Sequence, residues 1–132
     1  MAVYVLENRS YDQVIGRPDA PYLNSLARSY ALATSYYAVA HPSLPNYIAL
    51  TGGSVYGITT DCSNCDTAGP NIVGQLDDAG YTWKAYFEDL DSNRRPGPTT
   101  HQYNPHCNPF VYYETVRGVD RNRDRVVGFD PL

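Results

Sequence analysis

His41-Pro42-Ser43-Leu44-Pro45-Asn46-Tyr47-Ile48-Ala49-Leu50-Thr51-Gly52-Gly53 sets one hydroxyl between two prolines and leads into a short apolar segment. Pro42 and Pro45 push His41 and Leu44 away from the α region, so the backbone around Ser43 is expected to be extended and stiff. Pro45 suits the first position of a helix, and residues 46–51 read as that helix, closed by Gly52. Ser43 then stands at the helix mouth. The amides of Asn46 and Tyr47, with the positive end of the helix dipole, favour an anion there, a phosphate above all. The same residues also suit an ordinary proline-bracketed loop entering a helix.

Upstream, residues 31–40 are small, aromatic and β-branched and read as a strand that delivers the chain to Ser43. Residues 2–6 form a continuous apolar run ending at Glu7-Asn8, as a buried parallel strand ends at the edge of its sheet. Between them, Tyr22, Leu23, Leu26 and Ala27 follow Pro21 at helical spacing, so residues 20–30 read as helix. Downstream, residues 54–69 are irregular, 70–79 form a helix stopped by Gly80, and 81–87 form a further strand. Residues 89–108 make a long loop rich in Pro, Gly and Arg, and loops of that length are usually functional or disordered. Alternating strands and helices predict an α/β fold with a sheet that is parallel at least in part, forming one domain over residues 1–132.

Ten Gly, ten Pro and 18% charged residues are incompatible with a helical bundle. The net charge of −4, with no basic run longer than Arg94-Arg95, argues against a nucleic-acid partner. No transmembrane segment is expected, because no run approaches the roughly 18 apolar residues of a span. No charged-then-apolar signal segment precedes Val3. Thirteen Tyr beside one Trp and three Phe point to amphipathic surfaces and pocket walls, a composition common in exported proteins.

In parallel sheets ligands collect beyond the carboxyl ends of the strands. Glu7-Asn8, Ser43 and Glu88-Asp89 follow the three predicted strands, which puts three oxygen-rich clusters at equivalent ends. Glu7 and Asn8 each offer oxygen to a hard divalent cation, and a cation beside Ser43 would lower its hydroxyl pKa and screen an incoming phosphate. Taken singly, Glu7 also suits a solvated strand end and Asn8 an Asx turn. His41 can orient the Ser43 turn or assist proton transfer.

Three long stretches carry a resemblance. Glu7-Asn8-Arg9-Ser10-Tyr11-Asp12, Ala20-Pro21-Tyr22-Leu23-Asn24-Ser25-Leu26-Ala27 and Tyr37-Ala38-Val39-Ala40-His41-Pro42-Ser43-Leu44-Pro45-Asn46-Tyr47 closely resemble the phosphoesterase family of bacterial acid phosphatases and phospholipase C-like enzymes. Trp83-Lys84-Ala85-Tyr86 followed by Glu88, and Asn108-Pro109-Phe110-Val111-Tyr112-Tyr113, fit as well. The resemblance implies an alkaline phosphatase-like three-layer α/β/α sandwich, in which a metal-activated Ser or Thr attacks phosphorus and the phosphoenzyme is then hydrolysed. By position it implies Ser43 as nucleophile and metal ligand, Asn8 as metal ligand with Glu7 beside it, and Asn46 as a contact to the substrate phosphate. The substrate would be a small phosphate ester or a phospholipid headgroup, and the location extracytoplasmic (secreted or periplasmic), with the signal peptide absent from this chain.

Two departures qualify that pattern. The family's His before Asn-Pro-Phe is here Cys107, which leaves His106, one place earlier, as the substrate-binding candidate. The family's remaining Asp and His ligands lie downstream of the point matching residues 126–132, so the chain reads as the N-terminal part of an incomplete catalytic domain, inactive alone. Sulfatases, which are relatives, carry Arg where Tyr47 stands. Cys62-Ser63-Asn64-Cys65 with His101, His106 and Cys107 offers a different reading, a secreted or intracellular binding module with a structural zinc site. A disulfide involving Cys62 and Cys65 is the favoured reading of the CxxC, with Cys107 left to pair beyond the chain or not at all.

Overall fold

The computed structural model describes residues 1–90, 103–119, 122 and 124–129. By contacts the chain separates into two units, Met1–Tyr37 and Ala38–Leu132.

In the first unit, Pro21 opens helix α1, Pro21–Ser29, with its fixed φ in a position where no amide donor is needed. The buried residue here is polar. Asn24 accepts from the Gly16 amide and donates to the carbonyls of Val14, Arg17 and Ala20, so one carboxamide folds the preceding loop onto the helix. Residues 2–6, predicted as a core strand, form no strand, and Val3, Tyr4 and Leu6 are 69%, 84% and 77% exposed. The predicted strand at 31–40 is also absent. Both stretches have strand composition, but a strand exists only where a neighbour completes its hydrogen-bond ladder, and no described residue pairs with either.

The second unit holds the apolar core. Helix α2, Ser43–Gly52, buries Leu44, Pro45 and Ile48. Helix α3, Ile72–Asp78, begins at Asn71, whose side chain accepts from the Gly74 amide at 3.0 Å as an N-cap should. Strand β1, Ala85–Phe87, pairs in parallel with β2, Val126–Gly128, in the register Ala85 to Val126 and Phe87 to Gly128. Helix α4, Glu114–Arg117, lies between them in sequence. Helices with a parallel strand pair make this an α/β arrangement, as expected. The predicted 81–87 strand is shorter than expected, and β2 was not anticipated.

Tyrosines build much of this core. Tyr103, Tyr112 and Tyr113 are buried with Leu44, Ile48, Ile58, Val73, Leu90, Val116 and Val126. Tyr113 donates to the Ile48 carbonyl and shares a hydrogen bond with the Thr51 hydroxyl, each at 3.0 Å, so its ring fills the core while its hydroxyl stays satisfied. The Gly52-Gly53 pair serves two different needs. A Cβ at Gly52 would lie 2.6 Å from the Tyr113 hydroxyl and the Tyr56 ring, whereas Gly53 ends α2 at φ +75°, which side chains resist.

Candidate functional site

Helix α2 starts at Ser43, three residues earlier than predicted, which places Pro45 inside the first turn. A first-turn amide has no intrahelical acceptor, so proline costs nothing there. The orphan donors at this end therefore belong to Ser43 and Leu44, in place of Asn46 and Tyr47. Pro42, at the N-cap, provides no side-chain acceptor.

Two side chains fix this turn. Asn46 accepts from the amides of Val39 and Ala40 at 2.9 and 3.1 Å and donates to the carbonyls of Ala40 and Pro42 at 2.8 and 2.9 Å. Its carboxamide thus commits both donor hydrogens and its oxygen to the loop that carries Ser43. Asp61 supplies the cap that Pro42 lacks, its Oδ1 accepting from the Leu44 amide at 2.9 Å. A cap of this kind is worth about 0.5–2 kcal/mol, and the charge also suits the helix dipole.

Asp61 is itself held. Its Oδ2 lies 3.8 Å from Nδ1 of His106, whose Nε2 is buried and finds no partner among the described residues. Cys62 and Cys65 are joined in a disulfide immediately after Asp61. Asp66 then takes a two-pronged grip from Arg117 at 2.8 and 2.7 Å, and Thr67 pairs with the Tyr112–Glu114 backbone. Behind this loop, burial above all pushes the Tyr112 hydroxyl up to about 12, the neighbouring Asp61 and Asp66 carboxylates acting in the same direction, so it remains neutral.

Ser43, Asn46 and His106 therefore fall in one unit, around the start of α2 and its capping loop. Ser43 is half-buried and His41 exposed on the turn. Glu7 and Asn8 are exposed in the first unit. Among the described residues no group of three or more His, Cys, Asp or Glu gathers to hold a metal. With Cys62 and Cys65 bonded to each other, neither can give zinc the thiolate it needs, and His101 lies outside the described residues. Residues 91–102 of the long loop also lie outside them. Asp61 was not among the predicted site residues, because its partner stands 17 positions away and no local pattern marks it.

The disulfide has a direct check. In protein made under oxidising conditions, Cys62 and Cys65 are expected to resist alkylation until a reductant is added, with the linked peptide recovered from a non-reduced digest. Immediate alkylation of both, together with bound zinc, would restore the zinc-module reading.

No helix among the described residues is long and apolar enough to cross a membrane. The profile described as Phosphoesterase family matches residues 16–130. Among curated proteins, the chain is 42% identical over 91 residues to a phosphatidylinositol-3-phosphatase of Mycobacterium tuberculosis, covering 68% of this chain and 30% of that protein. It is 34% identical over 104 residues to a phosphate-repressible acid phosphatase of Penicillium chrysogenum, covering 71% of this chain and 24% of that one. An acid phosphatase of Aspergillus fumigatus is 32% identical over 121 residues, 84% of this chain and 26% of the relative. The chain thus spans less than a third of the length of these relatives. No solved structure matches it.

Proposed function

Because the chain belongs to the phosphoesterase family, we propose that the protein containing it hydrolyses phosphate esters with Ser43 as the nucleophile. The observation that carries this reading is the placement of Ser43 at the first position of α2, on a turn braced by Asn46 and capped by Asp61. Ser43 Oγ attacks phosphorus, the ester oxygen leaves with the P–O bond pair and takes a proton, and water then cleaves the phosphoserine to return the hydroxyl. Asn46 acts by holding the turn. A phosphate contact from its amide would require one of the four loop hydrogen bonds to be given up. His41, exposed beside Ser43, is the proposed route for a proton to or from the reacting oxygens, and His106 the proposed contact on the substrate side.

A divalent cation belongs to this proposal. Glu7, Asn8 and Ser43 are all oxygen donors, which suits a hard ion of the magnesium, calcium or manganese kind, and these residues would hold it. When bound, it would lower the hydroxyl pKa of Ser43 and offset phosphate charge. Charge balance supports the need for it: the Asp61 carboxylate already occupies the Leu44 amide, so the helix dipole alone has less to offer a dianion. The wider frame we propose is the alkaline phosphatase-like three-layer α/β/α sandwich, of which residues 1–132 supply a part. The disulfide supports an extracytoplasmic location. The relatives' names support small phosphate esters and phosphoinositide headgroups as the substrate class.

The test is made on the complete protein. Purified enzyme is expected to release phosphate from a chromogenic monoester, to lose activity on metal stripping and to regain it with added divalent metal. Asn8→Ala is expected to weaken metal affinity about 10- to 100-fold and to lower turnover in step, with partial recovery at high metal. Full activity in metal-stripped buffer, with no metal by elemental analysis, would remove the cation and with it the roles of Glu7 and Asn8.

A further inference from the structure

The acidic residue that caps α2 has a place in the reaction that neither the family match nor the relatives' names assign. We propose that Asp61 is a positioning residue for Ser43, and that its loop is a brace that sets the direction of the nucleophile. The inference rests on the phosphoesterase reading above.

Helix α2 has no side-chain cap of its own. Its N-cap is Pro42, which offers no side-chain acceptor, and its third position is Pro45, which offers no amide. A helix usually fixes its first turn with an Asn, Asp, Ser or Thr at the cap. Here the backbone that carries Ser43 is fixed from outside, through the 2.9 Å bond from the Leu44 amide to Asp61. Asn46 holds the incoming loop at residues 39–42, while Asp61 holds the residue after Ser43, so the nucleophile is pinned on both sides.

The brace is built for stiffness. His106 stands at the far oxygen of Asp61, the Cys62–Cys65 bridge closes the chain just behind it, and Arg117 clamps Asp66. A surface ion pair such as Asp66–Arg117 adds little global stability. A disulfide over so short a loop also removes little chain entropy. The joint effect of these contacts is local order in the segment that presents Asp61. Catalysis is sensitive to such order, since a displacement of about 1 Å at a reacting atom can cost a factor of about 100.

The experiment uses the complete enzyme and a chromogenic phosphate ester. Asp61→Ala removes the acceptor and is expected to lower kcat by about 10- to 100-fold while KM moves less than about twofold. Asp61→Asn keeps an oxygen for the Leu44 amide, and kcat is expected to recover to within about threefold of the parent. A merely structural role would lower the melting temperature of either variant without this split between kcat and KM, or this rescue. Amide hydrogen exchange at Leu44 in the parent gives a reading that needs neither turnover nor a folded variant. Protection of that amide is expected, and its absence would overturn the cap. If Ser43→Ala is inactive yet Asp61→Ala keeps kcat within about twofold, the positioning role falls and the phosphoesterase reading stands. Should Ser43→Ala remain fully active, the nucleophile assignment fails first, and the Leu44 exchange result then reports on the cap alone.

Discussion

Ser43→Ala is expected to reduce kcat/KM of the complete enzyme toward a phosphate ester by at least about a thousandfold, because it removes the hydroxyl at the head of α2 that is proposed to attack phosphorus. The fold should be indifferent to the change. Ser43 is half-buried, the cap of this helix comes from Asp61, and alanine is a better helix former than serine. Unfolding free energy should therefore move by no more than about 0.5 kcal/mol. Matched circular dichroism and denaturation curves, with turnover lost, establish the nucleophile. Turnover near that of the parent would eliminate Ser43 and require a different attacking group.

The second large effect is on stability. Tyr113 is fully buried, and its hydroxyl ties the Ile48 carbonyl to Thr51 within α2. Tyr113→Ala should cost about 3–5 kcal/mol, the usual range for deleting a buried aromatic ring. Tyr113→Phe keeps the ring and isolates the loss of the hydroxyl, for which about 1–3 kcal/mol is expected as polar groups are left unpaired. Chemical denaturation of both variants checks the order. A Phe variant as damaging as the Ala variant would mean that the hydroxyl, and not the filled volume, governs this junction.

Helices α1, α2 and α3 were legible in the sequence and α4 was not; of the predicted strands only 81–87 formed, shortened to Ala85–Phe87. Pro21, Pro45, Gly52 and Gly80 punctuate the chain, and the spacing between them holds α1, α2 and α3 within a few residues of where they fold, although the C-cap of α2 is Gly53, one residue past the predicted stop. Helices satisfy their own backbone, so local pattern suffices. Residues 2–6 and 31–40 have the composition of strands, yet a strand needs a ladder partner that no local pattern specifies. The parallel pairing of β1 with β2 joins residues about forty positions apart, and β2 was not read from the sequence at all. The candidate site divides in the same way. Ser43 was readable because two prolines flank it, whereas Asp61 reaches its amide from another loop and carries no signature. For Asn46 the resemblance implied a contact to the substrate phosphate, and what the sequence did not announce is its four hydrogen bonds to backbone.

Those four partners also decide how freely this region can be rewritten. Asn46 grips main-chain atoms of residues 39, 40 and 42, so the shape of the turn does not depend on which side chains Val39 and Ala40 carry. A library randomised at 39 and 40 should be rich in folded members. One randomised at 46 should be poor in them: aspartate is isosteric but would set a second acceptor against the Ala40 and Pro42 carbonyls, and glutamine would overshoot by a methylene. Engineering of substrate preference around the nucleophile therefore has its latitude in the loop and its fixed point in the helix.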